Sequence, residues 1–219
     1  MTDEIDYVAP SDGEFIFRNV SHNGRVYSRV TLFEELSPAM NFEKLLMYHE
    51  TEKKKGNPSL MDLPWHISLF EKAHGLRETH PDKSGRFRNF VQGVLRSQYP
   101  YTTTSVDYVP EEKDIVWGYK GTSDKYSVSE NIIGPDREIV SVDAEAVTAL
   151  TSNSNLEQVK NVLSWINGKT PVWIWRVNSK PKTLDERAVG LGADSGRLGL
   201  GSNWDPASRY PAFRVLIED

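Results

Sequence analysis

Cysteine does not occur among the 219 residues. Its absence excludes disulfide bridges, thiolate metal sites and cysteine nucleophiles, and leaves the compartment open. Long apolar runs are missing too: nothing approaches the roughly 20 residues that cross a bilayer as a helix. The opening MTDEIDYVAPSDGE is acidic and polar, unlike a signal or transit peptide. Positive charge is scarce, with 26 Lys and Arg against 31 Asp and Glu, a net charge of -5. Nucleic-acid binders need a clustered basic surface to neutralise phosphates, so the composition argues against that class. The one dense basic run, Lys53-Lys54-Lys55, follows acidic residues and reads as the solvated end of a helix.

Histidine is sparse and scattered. His22, His49, His66, His74 and His80 form no H-x-x-x-H or H-E-x-x-H pair. Glu34-Glu35 and Glu111-Glu112 lie beside turns and read as solvated charge, not as an acid and base couple. GLGADSG and GLGSNWDP lack both the dinucleotide spacing and the Gly-Lys-Ser/Thr of a phosphate loop. No catalytic residue, metal or cofactor is expected, and no converging nucleophile and base is visible.

With 38% hydrophobic residues the chain can bury a sizeable core. Residues 1–13 read as a flexible segment and 14–219 as a single domain. Period-two apolar spacing around His22-Asn23-Gly24 predicts a hairpin. Ser37-Pro38 predicts a helix start, giving helices at about 38–54 and 60–75, and a third at 86–96. Strands are expected over 101–109, 115–119 and 126–133, a short helix from Asp143, and a firmer one at 155–166 that stops at Asn167-Gly168. PVWIWRV, residues 171–177, is the clearest strand; pieces at 187–192, 197–201 and 213–217 follow. Trp65, Trp117, Trp165, Trp173 and Trp175 read as core. Strands, then helices, then a strand-rich half define α+β, not alternating βαβ.

The end of the chain has its own palette. Ala188 to Ile217 contains no Lys, Glu, Gln, Met, His or Thr, although Lys and Glu number 30 in the whole chain. Gly, Ser, Asp, Asn, Arg, Tyr and Ala replace them. Tyr, Trp and Arg are the anchors of binding surfaces, and Ser, Asn, Asp and Gly their adaptable hydrogen bonders. The competing reading of the same stretch is a hairpin and a polar loop built of turn formers. Glycines at 190, 192, 196, 199 and 201 are either exchangeable positions or places where a neighbouring group comes close. The candidate contact residues are Gly190, Asp194, Gly196, Arg197, Gly199, Gly201, Asn203, Trp204, Asp205, Ser208, Arg209 and Tyr210, with Ser195 and Ser202 beside them.

MNFEKLLMYHETEKKKGNPSLMDLPWHISLFEKAHG, two helices joined through a Pro-Ser turn, resembles the opening of C-type-lectin-like domains, and WIWRVNSKP with PAFRVLIED resembles their closing sheet. The order and terminal placement resemble in particular the variable proteins of diversity-generating retroelements. That resemblance implies a C-type-lectin-like fold with a variable region at about 188–214, rewritten at template adenines. It also implies a display protein of a virus or cell that recognises a macromolecule, plausibly a surface protein. Codons with two randomised adenines and a pyrimidine third base cannot encode Lys, Glu, Gln, Met or Trp, and from Ala188 to Arg214 only Trp204 falls in that set. Asn203-Trp204-Asp205 differs in order from the calcium-binding Trp-Asn-Asp of sugar-binding lectins, so neither calcium nor sugar binding is carried over. The alternatives are a structural virion or assembly protein without a variable site, or an enzyme of the same fold.

Overall fold

The computed structural model describes residues 4–8, 13–119, 125–129, 132–194 and 196–218. Among them lie five α-helices and two sheets, a mixed α+β architecture. The smaller sheet is antiparallel, in the order β1 (Ile5–Val8), β2 (Glu14–His22), β3 (Arg25–Phe33), β12 (Arg214–Glu218), β4 (Ser59–Leu60). The larger has seven strands: β7 (Lys125–Ser129), β6 (Asp114–Trp117), β5 (Tyr101–Tyr108), β10 (Asp185–Ala193), β11 (Leu198–Trp204), β9 (Val172–Trp175) and β8 (Arg137–Glu138). Only β11 and β9 pair in parallel. The two closing strands expected to share a sheet therefore part: β9 joins the larger and β12 returns to the N-terminal hairpin.

The helices follow their caps. α1 (Phe42–Lys55) starts at Asn41, whose side chain accepts the Lys44 N–H, and stops at Gly56 in the left-handed region at φ 72. Ser37 does not cap it; its hydroxyl accepts the Ala212 N–H at 2.9 Å and ties the chain to the approach of β12. α2 (Leu63–Gly75) is capped by Asp62, and α3 (Pro81–Ser97) starts at a proline, five residues ahead of its expected beginning. α4 (Ala144–Thr151) and α5 (Leu156–Ile166) follow, the latter capped by Asn155 as its sequence predicts. Of the strand expected over 126–133, residues 130 and 131 lie outside the described residues.

α2 is the centre of the packing, touching β2, β5, α3, α4 and α5. It is apolar nearly all round, with Leu63, Trp65, Ile67, Leu69, Phe70 and Ala73 buried, as a helix inside a core must be. Phe15, Phe17 and Phe70 surround Phe87 at 5.0 to 6.1 Å between ring centres. The core reaches β1. Ile5 is fully buried and pairs with Phe17, so residues 4–8 are a docked strand and not a flexible lead.

Two expectations follow. Ile5→Ala should cost about 2 to 5 kcal/mol in urea denaturation, as for other buried aliphatic truncations, whereas a loosely held segment would show almost no loss. Burial also pushes His22, His49 and His66 from the ordinary 6.5 to about 4. Unfolded imidazoles bind protons near pH 6.5 that the folded ones refuse, so this stability is present above about 6.5 and is lost as pH falls toward about 4. The urea midpoint should therefore drop between about pH 7 and 5; a constant midpoint would mean that these rings charge without cost.

Candidate functional site

β10 and β11 pair with Gly190 opposite Gly201, Leu191 opposite Leu200 and Gly192 opposite Gly199. Side chains alternate across a sheet, so the leucines enter the main core and the four glycines form the floor of the other face. Aromatic rings occupy the space that β-carbons would take. A Cβ at Gly190 would overlap the six-membered ring of Trp204, one at Gly201 its pyrrole edge, one at Gly199 the ring of Trp175, and one at Gly192 the ring of Tyr99. The Trp204 indole therefore lies across both strands of the pair. A β-bulge brings it there: two residues, Ser202 and Asn203, stand opposite Val189 alone. Ser202 turns inward, where its carbonyl accepts the Tyr108 hydroxyl at 2.9 Å and its own hydroxyl donates to Trp175 O at 3.2 Å.

At the hairpin tip, Asp194 Oδ1 accepts the N–H groups of Gly196 and Arg197, each at 2.8 Å, and Oδ2 accepts Arg197 Nε at 3.0 Å. These bonds, led by the one from Gly196, hold the Asp194 carboxyl below its ordinary pKa. The Arg197 guanidinium lies 5.0 Å from the ring centre of Trp173 and 5.8 Å from that of Trp175. On β9, Val172 and Ile174 are buried while both tryptophans are only half-buried. Trp173 and Trp175 therefore belong to the outer aromatic face and not to the core, and Trp117 and Trp165 are likewise half-buried; only Trp65 is as buried as expected.

At the far end of β11 the loop 205–210 is held by its backbone. The Tyr101 hydroxyl donates to Asp205 O at 2.7 Å and reaches Ser208 O at 3.3 Å. Phe42 N–H donates to Pro206 O, and Met40 and Tyr210 exchange backbone bonds. Burial pushes the Tyr101 hydroxyl above the ordinary tyrosine pKa, keeping it a donor. Tyr101, Trp204 and Tyr210 pack as three rings 5.0 to 5.6 Å apart beside Phe42 and Leu45 of α1.

Asp194, Gly196, Asp205 and Arg209 are exposed; Arg197, Asn203, Trp204, Ser208 and Tyr210 are half-buried; Gly190, Gly199 and Gly201 are buried under indoles. These three glycines are seats for rings and offer nothing to a ligand, the second of the two readings open to them. Tyr210 is part anchor and part core. Ser195 lies outside the described residues. The remainder forms a strip, not a compact patch, because seven strand residues, about 23 Å, separate Arg197 from Trp204. Its fixed charges balance, Asp194 and Asp205 against Arg197 and Arg209. Trp173, Trp175 and Tyr99 join it although nothing singled them out as contacts. The readable signal was V-W-I-W alternation facing G-L-G on both neighbouring strands.

Sequence shows no nucleophile beside a base, yet folding puts His22 Nδ1 3.0 Å from Ser68 Oγ. His22 stacks on Trp65 at 3.9 Å, and burial lowers its pKa to about 4, a weak base at neutral pH. The pair orients a ring more readily than it activates a hydroxyl. Among the described residues no group of three or more His, Asp or Glu could hold a metal ion, and no helix is long and apolar enough to cross a membrane. No protein-family model matches the chain, and neither the curated proteins nor the solved structures contain a match.

Replacing Gly201 by Val should displace Trp204 and cost about 1 to 3 kcal/mol through overpacking. In a Trp204→Ala background the same change should cost much less, and the coupling in a double-mutant cycle measures the seat. Strict additivity would mean that the indole does not rest on Gly201.

Proposed function

We propose that the outer strip from Asp194 to Tyr210 binds a macromolecular partner, a surface protein, and that the chain is a display protein with a C-type-lectin-like scaffold related to retroelement variable proteins. The observation that carries this reading is the separation of backbone from side chain at 205–210. The carbonyls of Asp205, Pro206, Ser208 and Tyr210 are gripped by Tyr101, Phe42 and Met40, outside the loop. Of the loop's side chains, Asp205 Oδ1 accepts the Ala207 N–H at 2.9 Å and Arg209 donates to Ala39 O at 3.2 Å, while Asp205 and Arg209 are exposed and Ser208 is half-buried. Most of the grip on the loop falls on its carbonyls, so exchange of its exposed side chains costs at most the bonds of Asp205 and Arg209, which suits adenine-directed rewriting. Preorganised backbone also lowers the entropic cost of association. Two consecutive helices joined through Asn57-Pro58-Ser59, and an α+β frame, support the scaffold assignment. Exposed polar groups beside half-buried Trp and Arg suit the mixed anchor and adaptable character of such surfaces.

A library randomised at Asn203, Asp205, Ser208 and Arg209 tests it. Asn203, Ser208 and Arg209 should tolerate change within about 0.5 kcal/mol, as surface positions do, and Asp205 should cost about 1 kcal/mol for its bond to the Ala207 N–H. Most members should stay folded by thermal melt, and selection against an unrelated protein target should return binders that the parent is not. General loss of folding, or folded libraries that never yield a binder, would leave the strip a structural edge, in line with an assembly protein lacking a variable site.

A further inference from the structure

A cavity of about 310 Å³ lies between α1, β4, the start of α2 and β12, away from the glycine floor. Its polar wall carries two donors with no hydrogen-bond partner among the described residues. His49 is 8% exposed, and its Nδ1 accepts the Leu60 N–H at 3.1 Å. The ring proton is thereby fixed on Nε2, which among the described residues has no partner. Thr103 is 2% exposed, and its hydroxyl is likewise unpartnered among them. Lys53 follows His49 by one helical turn on the same face. Its neighbours Lys54 and Lys55 pair with Glu50 and Glu52, but Lys53 makes no ion pair among the described residues. The remaining wall is mixed: Leu60, Trp65, Val215 and Ile217 are apolar, and Asn57, Ser59, Asp62 and Tyr119 are polar.

We infer that this cavity is a binding site for a small monocarboxylate with a compact apolar body. One carboxylate oxygen accepts from His49 Nε2–H and the other from the Lys53 ammonium, within reach of the Thr103 hydroxyl, while the body packs on Trp65 and Ile217. Charge-assisted hydrogen bonds of this kind are the strong ones. Burial keeps the His49 imidazole neutral down to about pH 4, so among the described residues Lys53 is the cavity's one cation and Asp62 its one carboxylate. Asp62 also lines the cavity, its carboxylate accepting the Trp65 N–H at 2.8 Å, and repels a dianion such as phosphate. Cavities of roughly 300 Å³ stand at the lower end of small-molecule sites, which suits a ligand of few atoms.

Titration of the full chain with hexanoate and phenylacetate, followed by calorimetry and tryptophan fluorescence, decides the matter. Both acids should bind saturably in the millimolar range or below, and hexylamine and inorganic phosphate should not. Lys53→Gln should weaken hexanoate by about tenfold with the melting temperature unchanged, since Lys53 is exposed and unpaired. Thr103→Val should weaken it as well and provides the second variant. Absence of saturable binding, hexylamine binding as tightly as hexanoate, or unchanged affinity in Lys53→Gln would each overturn the assignment. None of these outcomes bears on the outer strip, which lies on other strands.

Discussion

The cross-strand glycine pairs of β10 and β11 are the constraint on which the larger sheet depends. Each pair brings two backbones without β-carbons side by side, and the vacated layer is filled by indoles lying on the strands themselves. Leu191 and Leu200 stand between the pairs on the opposite face, so one hairpin seals the core with aliphatic groups and covers its outer side with aromatic ones. A side chain at any of these glycines would have to lift a ring, and the aromatic face would lose its flat seating. The absence of long charged residues along this stretch thus has a packing cause beside any codon cause: no room exists for them over much of β10 and β11.

Tyr101 connects that face to the rest of the molecule. It starts β5, packs on Trp204, Tyr210 and Phe42, and spends its hydroxyl on the carbonyls of Asp205 and Ser208. Through it the loop that follows β11 is held by a residue some hundred positions earlier in the chain. Ser37 does comparable work at Ala212, just before the last strand. Both contacts grip backbone. Much of the loop's shape is therefore held through its backbone, with smaller side-chain shares from Asp205, Arg209 and Tyr210; this is the physical condition under which a surface can vary while its scaffold stays fixed.

The two ends of the protein serve different chemistries on this reading. The outer strip is elongated, charge-balanced and rich in half-buried rings, suited to area and adaptable hydrogen bonding. The cavity beside α1 is a half-open pocket with one cation, one carboxylate and a neutral imidazole donor, and admits few atoms. One face of α1 runs past both: Phe42 and Leu45 meet the ring cluster under Trp204, and His49 and Lys53, further along, meet the cavity.

Much of the architecture was legible where a single residue dictates local geometry. Asn155 and Asn167-Gly168 bounded α5, Asn23-Gly24 turned the first hairpin, and alternation marked β9 as a strand. Two inferences failed for a shared reason. Ser37-Pro38 has the chemistry of a helix cap, yet Ala212 claims its hydroxyl; and Trp173 and Trp175 are apolar enough for a core, yet Val172 and Ile174 on the opposite face of the same strand take the buried side. The amino-acid sequence by itself determined the helices, the turns, the α+β class and the unusual composition of the last thirty residues, because caps, turn residues and periodicity act over a few positions. Which face of β9 is buried, which glycines carry rings, that β9 and β12 join different sheets, and that His49, Lys53 and Thr103 meet at one cavity were decided only by tertiary structure, because each depends on pairing between segments far apart in the chain.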